Sequence, residues 1–174
     1  SHLEHVAMVY GDLEGMVDIP VRIHSECLTG DVLGSQRCDC GWQLSTAQEY
    51  LTQHGGVLLY LRQEGRGIGL GEKMKAYGLQ DKGMDTVEAN QHLGFAADAR
   101  NYAIAIQILR DLGIKNVKLL TNNPHKISQL NNGGIKVVER VPMQMTEPGQ
   151  HVRGYLSTKM NKLGHWLNDH EKEG

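Results

Sequence analysis

At 57–61 and 116–120 the chain reads VLLYL and NVKLL, two short runs dominated by branched apolar residues. Runs of this kind fit strands buried inside a sheet, which must be covered on both faces. Further strands are expected at 5–10, 21–24 and 135–141, with helical patterns between them. Leu44, Ala47 and Leu51 recur at helical spacing and stop at Gly55-Gly56. Leu70, Met74 and Tyr77 repeat the pattern as the apolar stripe of a second helix. Tyr102, Ala105, Leu109 and Leu112 form the clearest amphipathic helix, with Gly113 just past its end. Asn123-Pro124 opens another helix with a capping side chain and a proline at the first position; its short stripe is Ile127 and Leu130, and Gly133-Gly134 ends it. A last helix is expected over 155–167, then a charged tail over about 168–174. The segment around Thr86, MDTVEAN, reads as a turn. The expectation is a mixed α/β fold, a mixed sheet flanked by helices, in one domain over 1–174.

The 174 residues suffice for one domain with its own core and crowd two. Eighteen basic against twenty acidic residues give a formal charge of -2, no global footprint for nucleic acid. An anionic ligand therefore needs a local pocket. No apolar run is long enough to span a membrane and no leader pattern opens the sequence, so a cytoplasmic protein of a reducing compartment is expected.

All three cysteines lie in one arc, Cys27, Cys38 and Cys40, spaced C-x10-C-x-C. An odd count rules out a complete disulfide framework. Three thiolates leave the fourth tetrahedral position of a zinc ion to water, the arrangement of a hydrolytic centre. Spacing alone also fits a closed site completed by His24 or another histidine, or three unrelated thiols.

Other segments carry anion-binding chemistry. RQEGRGIGLG, 62–71, follows a buried strand and precedes a helix, where backbone amides suit an anion; Arg62 and Arg66 add charge. Its glycines fit neither the dinucleotide fingerprint nor the Walker pattern. Two arginines and a glutamate among four glycines favour phosphate binding over a plain turn. TNNPHK, 121–126, places Lys126 in a helix's first turn, where a cation is unfavourable for the dipole, so it either faces an anion or is solvated. Asp98 and Arg100 flank Ala99 before the Tyr102 helix and meet a common ligand only from a loop; a helix N-cap is the structural alternative for Asp98.

Taken in order, RIHSEC (22–27), RCDCG (37–41), RQEGRGIGL (62–70), AYGLQD (76–81), DTVEAN (85–90), GFAADAR (94–100), LTNNP (120–124) and YLSTKMNKLGH (155–165) resemble GTP cyclohydrolase II. The resemblance covers nearly the whole chain and favours the open zinc site. It implies a homodimer that opens the imidazole ring of GTP, releasing formate and pyrophosphate. The product is the diaminopyrimidine ribosylamino monophosphate that begins riboflavin synthesis. One Zn2+ held by Cys27, Cys38 and Cys40 would activate water, with Mg2+ on the phosphates. Tyr77 matches the tyrosine that completes deformylation, Asp98 the proton acceptor and Arg100 the nucleophile toward the α-phosphorus. A guanidinium is a poor nucleophile, so electrostatic stabilisation is the more conservative role for Arg100. By the same match Arg22, Ile23, His24, Ser25, Glu26, Gln43, Glu64, Gly65, Arg66, Thr86, Thr121 and Lys126 contact GTP, Gln43 and Glu64 at the guanine edge. His125 departs from the family's second basic residue. The family usually has one more strand before the position where this sequence starts, and in some relatives the domain follows a dihydroxybutanone phosphate synthase domain. A zinc deaminase, the nearest rival, calls for an H-x-E followed by P-C-x-x-C, a combined pattern that is missing here. A nucleotide-binding relative without turnover is the non-enzyme alternative.

Overall fold

The computed structural model describes residues 3–167, apart from 97, 99, 146, 147 and 149; the tail expected at 168–174 lies outside them. Among the described residues five strands form one mixed sheet: β1 Val6–Tyr10, β2 Ile19–Ser25, β3 Gly56–Leu61, β4 Asn116–Leu120 and β5 Lys136–Val141. Their order is β1-β3-β2-β4-β5, with β1 antiparallel to β3 and the other pairs parallel. The helices are α1 Leu28–Asp31, α2 Cys40–His54, α3 Leu70–Gln80, α4 Thr86–His92, α5 Ala103–Asp111, α6 Pro124–Asn132 and α7 Gln150–Leu163.

Alternation along β2 divides the core. Ile19, Val21 and Ile23 point to one face and join Val57, Leu59, Leu119, Ala105, Leu109 and Leu130, which brings α5 and α6 against that side. Leu58 and Leu120 point to the other face and meet Ala47 and Leu51 of α2. Helices therefore cover both faces, as parallel strands require. The connection after β2 leads to β3 on one side, whereas the connection after β4 leads to β5 on the other. The carboxyl ends of β2 and β4 thus border a topological switch point, where open α/β sheets form ligand crevices.

Several local readings of the sequence hold. Gly113 adopts φ 73 just beyond α5, and Asn123 caps α6 by accepting from the His125 amide, with Pro124 at the first helical position. Others need correction. The Thr86 segment is a helix, because Asp85 and Glu88 form a reciprocal capping box at its start. The stripe Leu70, Met74, Tyr77 is not the buried face of α3: Leu70 and Met74 are exposed, and Lys73 and Ala76 are the buried residues. This helix faces a polar pocket rather than the apolar core, so the usual inside-outside rule is inverted along it. The last helix begins at Gln150, before the expected 155, and ends at Leu163.

Candidate functional site

The metal loop is built by close backbone approach. Residues after β2 turn through α1 and return to α2, whose first residue is Cys40. A Cβ at Gly41 would stand 2.3 Å from the Gly30 carbonyl oxygen, and one at Gly30 would stand 2.8 Å from Cys38 Sγ and 3.2 Å from Cys27 Sγ. A side chain at Gly41 would displace the Gly30 backbone, and one at Gly30 would displace the sulfurs. The three sulfurs lie within 4.8 Å of one another, with Cys27 and Cys38 3.7 Å apart. Tetrahedral zinc with Zn–S bonds of about 2.3 Å separates its sulfurs by about 3.8 Å, so the donor set fits that ion. Hydrogen bonds from Cys38 and Cys40, and then Lys73, pull the Cys27 thiol below its ordinary range, while the thiol hydrogen bond with Cys27 pushes Cys38 up to about 11.

Behind the sulfurs stands a buried polar scaffold. Asp31 accepts from the Cys27 amide at 2.9 Å, from Tyr60 at 2.8 Å, and meets His24 Nε2 at 3.0 Å. Burial, against the pull of Asp31, lowers the pKa of His24 and favours the neutral ring. Glu64 accepts from the Leu28 amide at 2.7 Å and from Lys73 at 2.8 Å; Lys73 donates further to Cys27 Sγ at 3.1 Å and Thr29 Oγ1 at 2.9 Å. Thr29 reaches Tyr77 Oη at 3.2 Å. Burial raises the pKa of Tyr77, which keeps the phenol protonated as a donor near the metal loop. Asp39, between two of the cysteines, accepts from Lys159 of α7 at 2.6 Å and from Gln43 at 2.5 Å.

The opposite wall comes from the ends of β2 and β4. Lys126, buried, donates to the Ile23 carbonyl at 2.8 Å; Arg22 donates to the Leu120 carbonyl and to Gln43 Oε1. These acceptors are neutral. Burial, then Arg22 and Arg100, hold the Lys126 pKa well below the lysine range, and burial brings Arg22 down to about 10. His165 is pushed down to about 3 by burial and by Lys159, Lys126, Arg100 and Arg66. Ser25 Oγ and Arg22 Nε, both buried, have no hydrogen-bond partner among the described residues. The composition and geometry of this wall suit an anion. At its rim Gly65 and Arg66 both take φ near 60, at φ 62 and φ 61, the arrangement expected of a loop shaped around a ligand.

Of the residues singled out from sequence, the structure gathers Arg22, His24, Ser25, Glu26, Gln43, Glu64, Gly65, Arg66, Tyr77, Thr86, Arg100, Thr121 and Lys126 around one pocket with the three cysteines. Two differ. Ile23 points into the apolar core and contributes its carbonyl to Lys126, because neighbouring strand residues face opposite sides. Asp98 is not a cap, since α5 starts after Tyr102; it grips Arg100 through both carboxylate oxygens. Burial opposes the charge on Arg100, yet Tyr102 and Asp98 more than offset this and raise its pKa, so the guanidinium stays protonated.

Sequence reasoning missed Lys73, Asp39 and Lys159 as buried charges and gave Tyr155 and His165 no role. Lys159 and His165 stand within the YLSTKMNKLGH motif, the one signal available for them. Nothing marked Lys73, since a lysine between apolar positions reads as solvated.

The family profile of GTP cyclohydrolase II matches residues 1–142. The chain belongs to the GTP cyclohydrolase II family. It is similar to riboflavin biosynthesis protein RibBA of Bacillus subtilis (strain 168), 62% identical over 167 residues, which are 95% of this chain and 42% of that protein. The corresponding protein of Bacillus velezensis is 59% identical over 167 residues, and one from Bacillus cereus 58% over 166, again with 95% of this chain and 42% of the relative covered. The chain thus spans under half the length of these curated relatives. Among the described residues no helix is long and apolar enough to cross a membrane.

Proposed function

We propose that this GTP cyclohydrolase II domain hydrolyses GTP, opening the imidazole ring with release of formate and pyrophosphate and leaving the diaminopyrimidine ribosylamino monophosphate, the first step of riboflavin synthesis. One juxtaposition carries the reading: a three-thiol metal cluster and a wall of buried cations face the same pocket. Guanine chemistry at one end and a polyphosphate at the other match that polarity.

Cys27, Cys38 and Cys40 hold zinc, which when bound supplies Lewis acidity and an acidified water at neutral pH. Lys126, Arg22 and Arg66 take the phosphates, with Mg2+ accompanying them, and Thr121 and Ser25 add hydroxyl donors. Binding of the anion supplies the countercharge that Lys126 otherwise lacks. Gln43 and Glu64 lie toward the metal end, as guanine recognition requires; their hydrogen bonds to Asp39, Arg22, Lys73 and Leu28 fix how they present their remaining lone pairs. His24, Glu26, Gly65 and Thr86 complete the contacts. Tyr77 donates from its phenol toward the formyl group during deformylation. Arg100, charged and held by Asp98, stabilises the phosphoryl transition state rather than attacking phosphorus, while Asp98 orients it and receives a proton. The family resemblance supports a homodimer acting in the cytoplasm.

The test is stoichiometry. Zinc-loaded protein given GTP and Mg2+ is expected to release formate, pyrophosphate and the pyrimidine in equal amounts. Ammonia in place of formate points to a deaminase, and GTP binding without any product to a non-catalytic relative.

A further inference from the structure

Lys73 stands where the metal loop, the Glu64 turn and Tyr77 meet, and no role in the reaction proposed above falls to it. All three of its ammonium protons have acceptors: Glu64 Oε1 at 2.8 Å, Thr29 Oγ1 at 2.9 Å and Cys27 Sγ at 3.1 Å. Its side chain is only 11% exposed, and that of Glu64 9%. Glu64 is itself anchored by the amides of Leu28 and Gly65, so the ammonium is held at a fixed point. We propose that Lys73 is a positioning residue for the metal centre: anchored on Glu64, it weakens the Cys27 thiolate as a donor and, through Thr29, sets Tyr77 against the metal loop.

The chemistry follows from charge. Three thiolates around a divalent ion leave the cluster with a net negative charge, which opposes the acidification of a bound water. An ammonium hydrogen-bonded to one sulfur draws density from it and restores Lewis acidity without occupying a coordination position. The same ammonium shares the Thr29 hydroxyl with Tyr77: with Lys73 donating to Thr29 Oγ1, that hydroxyl is free to bond the tyrosine oxygen 3.2 Å away. One residue thereby couples the electronic character of the centre to the orientation of the group assigned to deformylation. The proposal rests on the zinc hydrolase reading, and the experiment keeps the two apart.

Cobalt-substituted protein reports thiolate donation through its sulfur-to-metal charge-transfer band. In the parent protein the band is expected; its absence overturns the three-thiolate reading itself. Lys73→Met is expected to move the band to lower energy, because a sulfur relieved of its hydrogen bond gives up electrons more easily, and to slow deformylation by ~10- to 100-fold. Lys73→Gln, which keeps an N–H donor while losing the charge, is expected to shift the band in the same direction by less, and it carries the test where the methionine variant does not fold. A band at the parental position in either folded variant with cobalt bound overturns the electronic role. Thr29→Val separates the second role: Thr29 Oγ1 lies 3.7 Å from Cys27 Sγ, a longer contact than the 3.1 Å of Lys73, so the band is expected to move less than in Lys73→Gln while ring-opened, still formylated product is released. Complete deformylation by Thr29→Val overturns the link to Tyr77.

Discussion

The two walls of the pocket treat buried charge in opposite ways. On the metal-loop side Lys73 faces Glu64 and Cys27, and Lys159 faces Asp39, each within 3.1 Å of a partner of opposite charge or thiolate character. On the β4 side Lys126 and Arg22 donate to backbone carbonyls and to a glutamine, neutral acceptors that satisfy hydrogen bonds without balancing charge. The first wall is complete as the chain folds. The second gathers cations on neutral acceptors, and in the proposed reading an anion supplies their countercharge. Removing a charge therefore has opposite consequences on the two sides.

The largest effect is expected at the cysteines. Cys38→Ser should lose zinc and formate release together, as measured by metal analysis and product assay; near-parental formate release would end the metal reading. Next, Asp39→Ala leaves Lys159 buried without its carboxylate and should cost about 3–5 kcal/mol in denaturant unfolding. Lys126→Met is the counterpart: stability unchanged or raised, and GTP affinity lowered by ~10- to 100-fold in calorimetry, about 1.4–2.8 kcal/mol. Destabilisation by Lys126→Met comparable to that of Asp39→Ala would erase the contrast between the walls.

A pH effect sharpens it. The unfolded chain protonates His165 near pH ~6.5, whereas the folded chain does so only near pH about 3. Between these values the unfolded state holds the extra proton, so stability falls as pH falls through that window, and His165→Gln should flatten the fall. A bound polyphosphate opposes the field of Lys126, Lys159, Arg100 and Arg66, so GTP binding near pH 6 should take up protons, visible as a dependence of binding enthalpy on buffer ionisation. Binding without proton uptake would mean that the phosphates lie elsewhere. The smallest effect belongs to the surface: Lys75→Ala breaks the exposed 2.7 Å pair with Glu72 and should change stability by no more than about 0.5 kcal/mol.

The strands were legible because branched apolar residues in short runs have few other uses, and β4 spans the same 116–120 expected for it. Helix ends were legible where glycine, asparagine and proline act locally, as at Gly113 and Asn123-Pro124. Thr86 was misread because a capping box depends on two side chains each reaching the other residue's backbone amide across a turn, and α3 because its apolar residues face outward around a polar site. The ordered motifs brought most of the pocket into view through likeness to a family, without saying how its residues meet.

By itself the sequence determined the alternation of strands and helices, the gathering of all three cysteines in one arc and, through its ordered motifs, the family, since these depend on residue identity and short spacing. Only the tertiary structure decided which charges are paired. Lys73 and Lys126 are indistinguishable as letters, and their environments differ because one is folded against a carboxylate and a thiol, the other against a carbonyl oxygen and a field of like charge. Coulombic and desolvation energies depend on distance and burial, and folding brings together groups as far apart in the chain as Asp39 and Lys159.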